Sequence, residues 1–476
     1  MKKQNSPKFK LIVRTPESIP WGAADRQLVP IDLASYDYKE EEYFFSGQAN
    51  VYSLADGTAQ IKHKNAPYTN RLLVRCPADP ARFSGTAFVE LINPTNGWDV
   101  SPMWSMAWPE ILRHGDAYIG ITIRPVCIEA LKQYDPIRYA PLSFANPCSA
   151  PGEISRKILM WQHCSPASEF GLVWDMLTDI GQFLKSSAAR TTLGLFVDRV
   201  YAMGCSQSAM FLSTYINIFH ETQRPSPLVP CFDGYLAFTG STMVPLNQEE
   251  DPPEMTDPIQ VTAGCPVPVI RIMSQWDFRD FAGHLSHRRP DSDDITDRFR
   301  LYEIAGQAHN PFTGALYRPG FTEMERLGRR TAFPATDISP LPTDAIVRQA
   351  LRNLDLWSRC GLAAPRTASL IRTDEKGQAL PDEYGNTIGG LRLPQLEVPC
   401  ATYFSGTAKN PQDGVAVMLP TRKLTALYPT HQDYVLAMFA AIDKLKKVRF
   451  ISEQDAAHLR VEAVRMPVPE ADQTPV

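Results

Sequence analysis

The sequence predicts an α/β fold built on one mostly parallel, eight-stranded sheet with helices on both faces. Three observations carry this. Eight short apolar runs recur between residues 50 and 305, and several are almost continuously apolar, as strands covered on both faces must be. Segments with helical spacing fall between the later runs, and such alternation indicates parallel strands joined by crossover helices. One run, "RVYAMG" (199–204), passes at once through "CSQS" into a helix.

The first runs are "NVYSL" (50–54), "RLLVRC" (71–76), "TAFVELI" (86–92) and "AYIGITI" (117–123). They continue after 199–204 with "GYLAF" (234–238), "VPVIRIM" (267–273) and "FRLYEIA" (299–305). Helical patterns are "PMWSMAWPEILRHG" after the third run, "EFGLVWDMLTDIGQFLKSS" before the fifth and "SAMFLSTYINIFHET" after it. Residues 1–48 form an N-terminal segment expected to pack on a core of 49–360, which closes on the helix "DAIVRQALRNLDLWSRC" (344–360). Two Pro-rich stretches, near 124–165 and 241–266, interrupt that core as insertions.

Residues 361–476 form a C-terminal extension. It carries a turn-and-strand section, "DEYGNTIGGLRLPQLEVP", then two amphipathic helices near 430–447 and 453–465. Phe404, Tyr428, Tyr434, Leu436, Met438 and Phe439 predict that this extension packs on the core. The 124–165 insertion reads as a lid whose Tyr134, Tyr139, Phe144 and Trp161 shape an apolar substrate pocket. The plainer alternative is that both segments only stabilise the fold.

With 476 residues, 44% of them hydrophobic and 21% charged, the chain can bury a large core. A net charge of -4 gives no basic field for nucleic acid. "MKKQNSPKFKLIV" has basic residues but no apolar stretch behind them, and no run approaches a membrane span. These features set the expectation of a soluble, cytoplasmic protein with neither membrane nor nucleic acid as partner. Nine dispersed cysteines without a C-x-x-C pair read as reduced thiols and argue against structural zinc. Glycine-rich phosphate motifs are absent, so no nucleotide cofactor is implied.

The strand-to-helix junction places Ser206 between two small second neighbours, Gly204 and Ser208. A turn that tight lifts a serine hydroxyl above the sheet edge. Serine is a poor nucleophile at neutral pH, so it needs a base, and the base needs an orienting acid. In a parallel sheet those groups come from loops at the C-terminal strand ends. "VPVIRIMSQWD" reaches Asp277 just past one strand, and "FRLYEIAGQAHNP" reaches His309 just past the next. Asp233 and Asp280 are the next acids in line.

An oxyanion needs backbone donors. One candidate is the N–H of Gln207, immediately after the nucleophile. The other lies in "INPTNGWDV", where Pro94 has no N–H and Thr95, Asn96 or Gly97 must serve, unless "NPTNG" is merely a turn. Other clusters read blandly. His284 and His287 in "HLSHRR" lack a third ligand, "DSDDITD" (291–297) reads as a solvated acidic loop, and Cys205 as a buried thiol.

The chain resembles a large, mostly microbial branch of the α/β-hydrolase superfamily known only as alpha/beta hydrolase domain proteins. The matching stretches include "YKEEEYFFSGQANVY", "VELINPTNGWD", "DPIRYAPL", "GCSQSAMFLSTYIN", "DGYLAFTG", "SQWD", "YEIAGQAH" and "YGNTIGGLRLPQLEVP". They run from about residue 38 to about 400. The resemblance implies the α/β-hydrolase fold, a Ser206–Asp277–His309 triad in that family's chain order, and no cofactor. Family members often carry an acid shortly before the aspartate; Gln275 and Trp276 stand here instead, which removes a competitor for Asp277. The resulting expectation is a serine hydrolase acting on a small-molecule ester. A lactonase or acyltransferase with the same triad, or a binding protein that kept the fold without the chemistry, are the alternatives.

Overall fold

The computed structural model describes residues 7–159, 164–226, 229–281, 288–334, 338–408 and 411–469. Its strands are β1 (Lys8–Ile12), β2 (Tyr38–Ala55), β3 (Thr58–Pro77), β4 (Thr86–Leu91), β5 (Ala117–Ile121), β6 (Arg199–Cys205), β7 (Gly234–Phe238), β8 (Val269–Ser274), β9 (Ser292–Asp294) and β10 (Asp297–Ile304). They join into one sheet of order β1-β2-β3-β5-β4-β6-β7-β8-β10-β9. The six strands from β5 to β10 in that order run parallel, while β1, β2 and β3 extend one side antiparallel and β9 the other.

Side chains of a strand alternate between faces, and in the central strands both sets are apolar. In β6, Val200 and Ala202 enter one buried cluster while Tyr201 and Met203 enter the other. In β8, Val269 and Met273 face the first, Ile270 and Ile272 the second. The covering helices used below are α1 (Pro102–His114), α2 (Pro125–Tyr134), α3 (Val173–Leu184), α4 (Gln207–Thr214), α5 (Gln275–Phe281), α6 (Thr343–Cys360), α7 (His431–Lys447) and α8 (Glu453–Arg465). Helices α3 and α4 cover the first face; α1, α6 and residues of α7 and α8 cover the second. No helix among the described residues is long and apolar enough to cross a membrane.

The sheet has ten strands rather than the eight predicted. The two additions, β1 and β9, are short strands at the two edges of the sheet. The first two predicted runs are fragments of a long hairpin of 18 and 20 residues. Its turn is Asp56-Gly57, both at positive φ (50° and 73°), the pairing that matches the natural strand twist.

The extension packs on the core. Leu391 bridges to Ile304 at the end of β10, its N–H donating to the Glu303 carbonyl at 2.6 Å. Leu393, Leu396, Tyr403, Ile442, Leu445, Phe450 and Leu459 join the second apolar cluster. The residues expected to make that contact do not: Tyr428, Tyr434 and Met438 are buried in a third cluster formed within the extension itself, and Phe404 and Leu436 are exposed, at 45% and 57%.

Candidate active site

Strand β6 ends at Cys205 and α4 begins at Gln207, so Ser206 is the whole connection. Its backbone sits at φ 56°, ψ -122°, a region that costs a non-glycine residue energy and is retained only where the surroundings enforce it. Those surroundings are specific. A Cβ on Gly204 would stand 2.8 Å from the Ser208 backbone, and one on Gly240 would stand 2.5 Å from the Ser206 carbonyl. Ser208 Oγ accepts from the Cys205 N–H and donates to the Cys205 carbonyl, both at 2.9 Å, closing the turn from inside. The Ser206 N–H donates to the Phe238 carbonyl at 2.8 Å.

Two neighbouring strand ends supply the partners. Strand β8 runs directly into α5, which puts Asp277 on the first helical turn, 1% exposed. One carboxylate oxygen accepts from Ser274 Oγ at 2.5 Å and the other faces His309 Nδ1 at 2.9 Å. His309 follows β10 through Gly306, at φ 75°. That loop is tied to α5: the Gly306 N–H donates to Gln275 Oε1 at 2.6 Å, and the Trp276 N–H to the Gln307 carbonyl at 3.2 Å. His309 Nε2 lies 3.0 Å from Ser206 Oγ. An imidazole protonated on Nδ1 donates to Asp277 and accepts from the Ser206 hydroxyl, which is the geometry a base needs to take the serine proton. The Trp276 ring tilts over the imidazole at 5.1 Å.

These groups open into a cavity of about 540 Å³ whose lining includes Asn96, Trp98, Gln207, Met210, Arg318 and Gln412. The loop after β4 borders it. Gly97 was an expected oxyanion donor, but its N–H is spent on the Pro94 carbonyl at 2.9 Å. The Thr95 N–H likewise goes to Asn93 Oδ1, also at 2.9 Å. Asn96 is exposed on the cavity, and among the described residues its N–H has no hydrogen-bond acceptor. Asn93 also binds the Cys205 carbonyl through Nδ2 at 2.7 Å, so one side chain fixes this loop against the elbow. Glu90 in β4 accepts the first N–H groups of α1, from Met103 and Trp104, both at 2.9 Å, and so anchors the helix that follows the loop.

The remaining expectations separate. Tyr134, Tyr139 and Phe144 do not reach the cavity; all three are buried in the first apolar cluster. Tyr139 donates to Glu42 Oε1 at 2.9 Å and accepts from the Trp21 N–H at 2.8 Å, while Tyr134 meets Trp21 edge-on. Their role is to staple the insertion and the N-terminal segment to the sheet. Trp161, His284 and His287 lie outside the described residues. Asp233 is committed elsewhere, accepting from the Val200 N–H and pairing with Lys185, each at 2.8 Å. In the acidic loop, Asp293 and Asp297 pair with Arg300, Arg366 and Arg289. Among the described residues no cluster of His, Cys, Asp and Glu suits a metal ion. Burial pushes the Cys205 thiol up to about 12, which leaves it an inert neighbour of the serine.

Sequence reading overlooked Asn93, Arg318 and Gln412. Asn93 was legible in principle, as the Asn of an Asn-Pro pair just past the end of β4. The other two reach the cavity through tertiary contacts that no local pattern marks.

A family model described as an alpha/beta hydrolase domain matches residues 5–461. No curated protein matches the chain. Among solved structures the chain is similar to Thermogutta terrifontis esterase 2 phosphorylated by paraoxon, at 14% identity and TM-score 0.32, with 67% of this chain and 96% of that one covered. It is also similar to a thermostable esterase from Pseudomonas putida, at 11% identity and TM-score 0.33, covering 70% and 86%. An alpha-beta serine hydrolase homologue from Coxiella burnetii is similar at 8% identity and TM-score 0.26, covering 51% and 84%.

Proposed function

The chain belongs to the alpha/beta hydrolase domain family, and from that premise we propose that it is a serine hydrolase cleaving a carboxylic ester of a small molecule. The observation that carries this reading is the hydrogen-bonded line Ser206–His309–Asp277, at 3.0 and 2.9 Å, beginning at a strained serine on a cavity wall.

In this reading Ser206 Oγ attacks the ester carbonyl carbon while His309 Nε2 takes its proton. The carbonyl electrons move to the oxygen, which the N–H groups of Gln207 and Asn96 receive. Collapse of that tetrahedral species expels the alcohol, which leaves with the proton from His309, and Ser206 remains acylated. Water then attacks the acyl group with His309 again as base, releasing the acid and restoring the serine. Asp277 keeps the imidazole proton on Nδ1 and stabilises the charged ring. Asp277→Asn offers the wrong hydrogen-bonding partner and is expected to lower kcat by several orders of magnitude.

A panel of p-nitrophenyl esters and lactones tests the reading. Turnover of esters with a pre-steady-state burst, absent in Ser206→Ala, supports it. Turnover undiminished in Ser206→Ala, or cleavage of lactones alone, contradicts it.

A further inference from the structure

A second cavity, of about 320 Å³, lies directly beside the first. Gln207 and Met210 line both, so the first turn of α4 is their shared wall. The rest of the second lining is largely apolar: Phe170, Met243, Val244, Pro245 and Met255 all contribute. Thr242 and Gln260 add polar groups, and Lys157 and Glu254 add charges that pair with each other at 2.9 Å. Arg124 lines this cavity too; it occupies the N-cap position of α2 just beyond the end of β5, the same sheet edge that carries Ser206.

Arg124 is 4% exposed, yet among the described residues no carboxylate lies within ion-pair distance of it. Its guanidinium rests over the rings of Phe170 and Phe211, at 4.9 and 5.9 Å, and donates to Cys164 Sγ at 3.1 Å. Its Nε is buried without a hydrogen-bond partner. Glu169 exerts only a distant pull and is itself held by the Gly171 and Gln248 N–H groups. A buried guanidinium left without an anion is costly unless one is delivered to it. The charge balance of both cavities leans the same way. Arg318 and Arg330 line the catalytic cavity, also without ion pairs among the described residues. The carboxylates lining the two cavities are already engaged: Asp277 with His309 and Ser274, and Glu254 with Lys157.

We propose that the second cavity is an acyl-side subsite in which Arg124 binds a carboxylate, so that the preferred substrates are half-esters of dicarboxylic acids. The ester clause rests on the serine-hydrolase reading above; the anion site stands on the cavity and on Arg124 itself. A planar fork of donors matches a carboxylate, and the methylene chain between carboxylate and ester suits the apolar wall.

The test compares p-nitrophenyl half-esters of glutarate, adipate, pimelate and suberate with the neutral pentanoate, hexanoate, heptanoate and octanoate esters. At one chain length the wild type is expected to prefer the half-ester in kcat/KM by about tenfold or more, the effect of one charge-assisted contact. Arg124→Gln should erase that preference while leaving the neutral ester within about twofold, and Arg124→Lys should retain part of it. Equal or lower kcat/KM for the half-esters at every length, or an equal loss on both series in Arg124→Gln, overturns the proposal. A second measurement needs neither turnover nor a folded variant. Calorimetry on the wild type should detect binding of the free dicarboxylates but not of the matching diols, and no binding overturns the proposal. If neutral esters are cleaved at Ser206 while dicarboxylates fail to bind, the subsite falls and the nucleophile stands. If dicarboxylates bind and no ester is cleaved, the reverse holds.

Discussion

Two of the three additions to the hydrolase core, residues 124–165 and the extension beyond 360, exchange the roles their sequences suggest. The first is rich in proline, carries Tyr134, Tyr139, Phe144 and Trp161, and reads as a lid. In the structure its Tyr134, Tyr139 and Phe144 are buried in the first apolar cluster. The extension carries no catalytic motif and reads as packing alone. Yet its Gln412 lines the cavity beside Ser206 and His309, its Gln412 carbonyl accepts from the Asn310 N–H at 3.1 Å, and Asp413 accepts from Asn310 Nδ2 at 2.9 Å. The residue after His309 is therefore held by the extension. Aromatic content marks burial, not a pocket; what puts a residue at the site is its place relative to the C-terminal ends of the parallel strands. Arg124 obeys that rule from the very start of the first segment.

The comparison can be broken most forcefully by truncation after Cys360. That removes Leu391, Leu393, Ile442 and Leu459 from the second cluster and uncovers the face on which α6 lies. Against a total stability of about 5–15 kcal/mol, such a loss should leave an insoluble or unfolded product. A soluble fragment retaining esterase activity would break the claim that the extension is integral.

Next in size is the first segment. Phe144→Ala should destabilise by about 3–5 kcal/mol, measured by chemical denaturation. Tyr139→Phe strands the Trp21 N–H and removes one donor from Glu42, which keeps Arg71 and Arg138, and should cost about 1–3 kcal/mol. In both, the ratio of kcat/KM between short and long acyl esters should stay at the wild-type value. A changed ratio at undiminished stability would restore the lid.

A third measurement concerns acid unfolding. His220, on the continuation of α4, is buried against the Tyr235 hydroxyl at 2.7 Å, and burial lowers its pKa from 6.5 to about 3. A group depressed in the folded state contributes stability that is complete above pH 6.5 and is lost as pH falls toward 3. Between those limits the slope is about 1.4 kcal/mol per pH unit. His220→Gln should flatten the fall in Tm between pH 6.5 and 5. An unchanged slope would show that His220 protonates freely in the folded protein.

The smallest effect sharpens the extension's role. Asp413→Ala removes an exposed hydrogen bond and should change stability by less than about 1 kcal/mol. If the clasp on Asn310 orients His309, kcat should drop several-fold with KM nearly constant. Equal kcat in the variant would confine the extension to stability.

Legibility in the sequence follows how local the physics is. The elbow was readable because a backbone at φ 56° demands small residues at fixed offsets, and Gly204 and Ser208 stand at them. Asp277 and His309 were readable because strand ends position them. Apolar runs located the parallel strands, since both faces are covered. The long hairpin was partly missed because residues 38–42 of its first strand and 58–65 of its second are polar and weakly patterned, although Asp56-Gly57 marks its turn. The donor in the β4 loop was only half legible. Which amide of Thr95, Asn96 and Gly97 stays free depends on where Asn93 and Pro94 send their oxygen atoms, and that is fixed by the fold. The pocket was not legible, because its walls come from segments far apart in the chain.

The most direct test of the account is covalent labelling with a fluorophosphonate probe, with the modified peptide mapped by mass spectrometry. The account predicts a single adduct on Ser206 in the wild type and none in a folded Ser206→Ala variant. Undiminished labelling of that variant, or an adduct on another residue, would contradict it.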